Sequence, residues 1–314
     1  MFNMLLYMYL LIKTMIGNQM TKTDDKMKET VSKVIELMET AGSDWSKCWA
    51  TSAGLPATLD GGNLREYNGA NIIMLAIAKH IENYNSRFWF TFNKIKNMYG
   101  VKVRKGSKSW PVFYYGVREP QTAEEKELQK QGRFFKGFWR FFNVFNADQL
   151  EGFNYDLIKE FENKIDTSIK AQTVADTLAK KNKAVVNHGG DSAFYRPSDD
   201  TIQMPHIDAF ENENFYASVL FHELTHWSGG SKRLERDGIV KADGNSDRQK
   251  YAFEELVAEL GSAVLSAQTG IEKEPREDHA KYLKGWCTYL KDKPRELYKA
   301  GTQAVTASKY LLDK

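Results

Sequence analysis

The stretch FHELTHWSGG at residues 221–230 constrains the fold of this chain more than any other. His222 and His226 are four residues apart with Glu223 beside the first, and that spacing puts both imidazoles on one face only if the backbone is helical. Phe215, Val219, Leu220, Leu224 and Trp227 predict the helix and give it an apolar face, and Gly229 and Gly230 end it. Three polar groups must therefore be accommodated on an element that packs into a core. Two imidazoles so placed can share one Zn²⁺, or another divalent metal, while Glu223 takes a proton from a water that the metal has acidified.

A hydrolytic zinc ion needs a third protein ligand, and the choices are few. A His three residues beyond Gly229 would make the metzincin pattern, but that position is Lys232. The later His279 sits in a charged stretch, whereas FEELVAEL supplies Glu254, Glu255 and Glu259 on a downstream helix. Glu255 and Glu259 share a face, and Glu254 points about 100° away from Glu255. An isolated EExxxE reads as a solvated helix face; about thirty residues after HExxH in an otherwise apolar helix, it reads as part of the site. The economical assignment is Glu255 as third ligand and Glu259 as acceptor for a histidine N–H, the gluzincin arrangement. Upstream, SAFYRPSDDTIQMP predicts a hairpin, either structural or an edge on which an extended peptide aligns. His188 and His206 flank it as loop or packing residues, and Tyr195, Tyr216 and Tyr251 are candidates to stabilise an oxyanion.

The two halves differ in charge. Residues 1–150 hold 21 Lys+Arg against 14 Asp+Glu, a net +7, whereas the remainder nets −4. A polyanion is the natural partner of the first half. Seventeen of the 62 residues from Tyr84 to Phe145 are aromatic and are interleaved with cations, a pattern suited to single-stranded nucleic acid: rings stack on bases and Lys or Arg follows the phosphates. VKVRKGSKSWP, with Lys102, Arg104, Lys105, Lys108 and Trp110, reads as a hairpin tip and is the sharpest local signal. Two cysteines without CxxC spacing offer neither a zinc knuckle nor a disulfide framework, which fits a reducing cytoplasm.

At 314 residues the chain predicts two domains with separate cores. The opening MFNMLLYMYLLIKTMIG is too short to span a bilayer and lacks a basic start, so residues 1–19 read as an apolar leader or as an upstream-extended start before Met20. No membrane partner is expected. Helices are predicted from Met20 to near Gly42, over ANIIMLAIAKHIENY with Ile73, Ile77 and Ile81 as its stripe, over roughly 169–180, through the HExxH and FEELVAEL segments, and over 278–290. GLPATLDGGNLREYNGAN reads as a loop and the charged stretch 118–133 as an exposed insertion.

The ordered set GLPATLDGGNLREYNGANIIML, FWFTFNKIKNMYGVKVRKGSK, FFNVFNADQLEG, HGGDSAFYRPSDDTIQMP, FHELTHWSGGSKRLERD and YAFEELVAELGSAVL resembles the ArdC-type antirestriction proteins of mobile elements, from about residue 28 to the C-terminus. The resemblance implies an α+β chain: a mixed single-stranded-DNA-binding domain over 20–152, with 118–133 inserted, then a zincin-like (gluzincin) metallopeptidase domain over 153–314. It implies protection of incoming DNA from host restriction. Two alternatives stand beside that reading: a DNA-binding protein whose metal site is not catalytic, or a DNA-dependent protease acting on a host restriction protein or another DNA-bound protein. By motif, His222, His226 and Glu255 would be ligands and Glu223 the general base. The departures are the leader, the insertion, and WSGG where WTGH is expected.

Overall fold

The computed structural model describes residues 22–41, 54–98, 100–117, 119–120, 122–130, 137–161, 170–240, 248–272 and 279–313. Helix α1 (Lys22–Ala41), strands β1 (Ala57–Asp60) and β2 (Asn63–Glu66) and helix α2 (Ala70–Ile81) come first. A strand-rich stretch follows: β3 (Trp89–Thr91), α3 (Phe92–Lys96), β4 (Lys102–Val103), β5 (Trp110–Val117), α4 (Ala123–Lys130), β6 (Gly137–Asn146) and β7 (Leu150–Glu151). After the short α5 (Asp156–Lys159) come α6 (Ala171–Lys181), β8 (Val185–His188), β9 (Phe194–Arg196) and β10 (Thr201–Met204). The chain ends in α7 (Glu213–Ser228), α8 (Asp237–Val240), α9 (Arg248–Thr269), α10 (His279–Asp292) and α11 (Pro294–Leu312). The α+β class expected from the sequence is observed.

Strands β3, β6 and β5 form an antiparallel sheet in that order, so β5 is an edge. Asn71 of α2 covers part of that edge: its amide donates to the Phe113 carbonyl at 2.7 Å and its carbonyl accepts from the Phe113 N–H at 2.8 Å. A second sheet has the order β8-β10-β9, with β10 parallel to β8 and antiparallel to β9, and the predicted hairpin is its β9–β10 half.

Four expectations change. Residues 57–66, read as a loop, form the hairpin β1–β2, whose Gly61 and Gly62 both have positive φ, at 59° and 84°. Two consecutive left-handed residues are what a tight hairpin turn requires, and Gly supplies them without steric cost. VKVRKGSKSWP is not a hairpin, because β4 pairs with β7 while β5 pairs with β6. Within the charged insertion, Ala123–Lys130 is helical. Ile81, placed on the apolar stripe of α2, is 42% exposed, because the helix ends there.

Beside clusters confined to one half, a larger one spans both. Met27, Val31, Val34 and Met38 of α1 and Ile73 and Ile77 of α2 pack in one cluster with Leu256 and Leu260 of α9, Trp286 and Leu290 of α10 and Leu297 of α11. The helices of the first half thus complete the apolar surface of the last three. A second cluster joins α6, β10, α7 and the end of α11, through residues such as Ala175, Ile202, Leu220 and Leu311.

Helix α7 is enclosed rather than one-sided, with every residue from Tyr216 to Ser228 buried. Asn212 caps it by accepting from the Phe215 N–H at 2.8 Å. Its closest neighbour is α9: a Cβ added to Gly261 would lie 2.5 Å from the Thr225 methyl. Gly261→Ala is expected to destabilise the fold by about 1–3 kcal/mol through overpacking, less a helix-propensity gain of up to about 1 kcal/mol. Thermal unfolding reads the balance; an unchanged or higher Tm would show that this crossing has slack.

Candidate metal centre

The close crossing of α7 and α9 brings three ligand atoms together. His222 Nε2 and His226 Nε2 are 3.1 Å apart, Glu255 Oε2 is 3.6 Å from the first, and Glu255 Oε1 is 3.4 Å from the second. All three residues are buried, and they are the group found among the described residues that could hold a metal ion. Two nitrogens about 2.05 Å from one tetrahedral Zn²⁺ would be about 3.3 Å apart, close to the spacing seen, so the donor set fits a divalent ion.

Carboxylates also face the outer ring nitrogens. Glu254 Oε1 lies 3.3 Å from His226 Nδ1, and Glu259 Oε2 lies 3.6 Å from His222 Nδ1. A proton on His226 Nδ1, shared with Glu254, leaves that ring's Nε2 lone pair directed inward beside the oxygens of Glu255, whereas Glu259 stands across from His222 Nδ1 at ion-pair rather than hydrogen-bond distance. Burial acts to lower the pKa of His226, but Glu254, Glu255 and Glu223 together push it up to about 10. Burial acts to raise that of Glu255, and His222 and His226 override it, holding the carboxyl far below its ordinary range. Such a concentration of negative charge around the two imidazoles favours a bound cation.

A cleft of about 510 Å³ opens over this group, lined by His222, Glu223, His226 and Glu255 and by Phe194 and Tyr195 of β9. Glu223 is buried in its wall, next to His222. Of the three candidate tyrosines, Tyr195 and Tyr251 line the cleft. Tyr216 does not: its hydroxyl bonds His188 at 2.9 Å and Asp176 at 2.8 Å, and the His188 ring stacks near His206. Both of those histidines therefore stand outside the metal group.

Residues 24–145 match the N-terminal domain of anti-restriction factor ArdC, and residues 173–303 match a zincin-like metallopeptidase domain. The crystal structure of antirestriction ArdC protein from the R388 plasmid is similar at a TM-score of 0.71 and 30% identity in its Mn(II)-bound form, over 91% of this chain and 97% of that one. The chain belongs to the ArdC-type antirestriction family. The metal-free crystal structure of ArdC matches at a TM-score of 0.72 and 28% identity, over 91% and 96% of the two chains. A protein of Sinorhizobium fredii named y4eC is 29% identical over 89% of both chains. The DNA primase TraC of Escherichia coli is 30% identical over 94% of this chain, which spans only 21% of TraC. The ArdC relationship implies DNA as a partner, and none of the described helices is long and apolar enough to cross a membrane.

Among the residues expected to meet DNA, Lys102, Arg104, Lys105 and Lys108 are exposed. Trp110 is not; it is 3% exposed because it starts β5 opposite Val144, and its ring packs with Leu75 and Trp89. Exposed rings lie elsewhere. Tyr114, Tyr115 and Phe142 are each more than half exposed and line a groove of about 590 Å³ with Arg65 and Lys94. Sequence reasoning passed over these three because alternation in β5 and β6 does not say which face lacks a neighbour. It also missed Arg236, whose guanidinium is buried against Glu254.

Proposed function

We propose that this ArdC-type chain binds single-stranded DNA through its N-terminal segment and hydrolyses peptide bonds with Zn²⁺ held by His222, His226 and Glu255. The observation that carries the reading is the convergence of those three ligand atoms at the floor of an open cleft with Glu223 in its wall. A purely structural zinc site would be closed by a fourth protein ligand. The ion would supply a water of lowered pKa and a positive charge for the carbonyl oxygen. Glu223 would accept the proton from the water and pass it to the leaving amine, Glu254 and Glu259 would flank the imidazole rings, and Tyr251 would be the tyrosine to meet a developing oxyanion, since the Tyr195 hydroxyl donates to Asp200 at 2.9 Å. Strand β9, at the edge of its sheet and facing the cleft, suits an extended peptide.

Residues 20–152 would hold the DNA and residues 153–314 carry the chemistry, acting in the cytoplasm on a host restriction protein or another protein bound to the entering strand. In the N-terminal segment, Tyr114, Tyr115 and Phe142 offer faces for bases, and Arg65, Lys94 and the exposed Lys102–Lys108 cations offer charge for phosphates. Replacing any one of the three rings by Ala is expected to weaken single-stranded binding by about 1–3 kcal/mol, while Trp110→Phe leaves it unchanged. Fluorescence anisotropy at two salt concentrations reads both effects. Equal affinity for single-stranded and duplex DNA, or indifference to all three ring substitutions, would sink the DNA half of the proposal.

A further inference from the structure

Arg236 follows the metal-site helix in a turn, is 6% exposed, and places its donors inside the protein. Its Nη2 donates to Glu254 Oε1 and to the Thr225 carbonyl, both at 2.6 Å; Nε donates to both oxygens of Glu254 at 3.1 Å; Nη1 donates to Ser228 Oγ at 2.9 Å. Two glycines make room for the pair. A Cβ on Gly229 would come 2.7 Å from the guanidinium, and one on Gly238 would come 2.7 Å from Glu254 Cβ. Buried ion pairs are weak stabilisers, because desolvating both charges offsets most of their attraction, so stability alone is a poor account of one enclosed this thoroughly. Its placement suggests another. Glu254 faces the outer nitrogen of His226, and Thr225 is the residue immediately before His226.

We propose that Arg236 is a positioning residue for the metal centre: by gripping Glu254 and the Thr225 carbonyl at once, it fixes the His226 ring and the α7–α9 spacing at which His222, His226 and Glu255 converge. The inference rests on the metal reading above and adds a residue outside the HExxH and FEELVAEL motifs. One bidentate guanidinium does what neither motif can do for itself, because it bonds the backbone of one helix and the carboxylate of the other in a single plane.

The test is Zn²⁺ affinity, by competition with a chromophoric chelator, together with the visible spectrum of the Co²⁺-loaded protein, which reports coordination geometry. Arg236→Met leaves Glu254 charged and buried without this partner, so the informative variant is Arg236→Met/Glu254→Gln, which removes both charges and keeps an amide oxygen near His226 Nδ1. It is expected to bind Zn²⁺ about 10–100-fold more weakly, with an altered Co²⁺ spectrum. Arg236→Lys, which retains the charge but not the fork, is expected to fall between, and decides the matter if the double variant does not fold. A lower Tm with unchanged Zn²⁺ affinity and Co²⁺ spectrum would overturn the proposal and leave Arg236 a structural role alone. Wild-type protein that binds no Zn²⁺, or binds it as tightly after His222→Ala, would overturn the metal reading itself.

Discussion

In the Glu255→Ala protein, Zn²⁺ affinity is expected to fall by about a thousandfold, roughly 4 kcal/mol out of the 10–16 kcal/mol typical of a structural zinc site. The two imidazole nitrogens 3.1 Å apart would remain, but the third donor would be gone. Neither neighbouring glutamate can replace it without giving up its own place: Glu254 is held by Arg236, and Glu259 faces the far side of the His222 ring. The helix should survive, since Ala is the best helix former and α9 is embedded along Leu256, Leu260 and Val264. Metal analysis after dialysis and chelator competition measure the loss, and a second readout is thermal. Wild type at a hundredfold excess of Zn²⁺ over its Kd gains about 2.7 kcal/mol of stability, and the variant should gain far less. Stoichiometric metal in Glu255→Ala would move the third-ligand assignment to Glu254 or Glu259.

The second large effect separates binding from chemistry. Glu223→Gln keeps the size of the side chain and removes its ability to accept a proton, while touching none of the three ligands. Metal content and single-stranded DNA affinity should stay as in wild type, and peptide hydrolysis should drop about 10²–10⁴-fold, roughly 3–5 kcal/mol of barrier. The assay is cleavage of a protein substrate with and without single-stranded DNA. Stimulation by DNA would point to substrates met on the strand. Unaltered antirestriction by the variant would instead make catalysis dispensable to protection and leave DNA binding as the working part.

The metal group was legible because its geometry is local. HExxH needs one helix and the Glu255–Glu259 spacing needs another, and each can be derived from residues four apart. What could not be read was how the two helices meet. Glu254, one residue from Glu255, turns to the outer nitrogen of His226 and meets an arginine 18 residues upstream, a contact that exists only after α8 folds back. Trp110 failed as a DNA residue for a related reason: β5 pairs with β6 through 144↔110, a partner far along the chain, and that pairing carries the indole inward. The β1–β2 hairpin was legible and was passed over, since Asp60-Gly61-Gly62-Asn63 carries its own turn signal within four residues.

The shared core sets where this protein can be cut. An excised 153–314 fragment would present Trp286, Leu290 and Leu297 to water where Met27, Val31 and Met38 now sit, and would behave as an adhesive surface rather than a free-standing peptidase. The groove proposed to hold DNA would suffer as well, because Tyr298 and Thr302 of α11 form part of its wall. Gene fusions, affinity tags and loss-of-function screens that treat the chain as two cassettes would be reading damage to both.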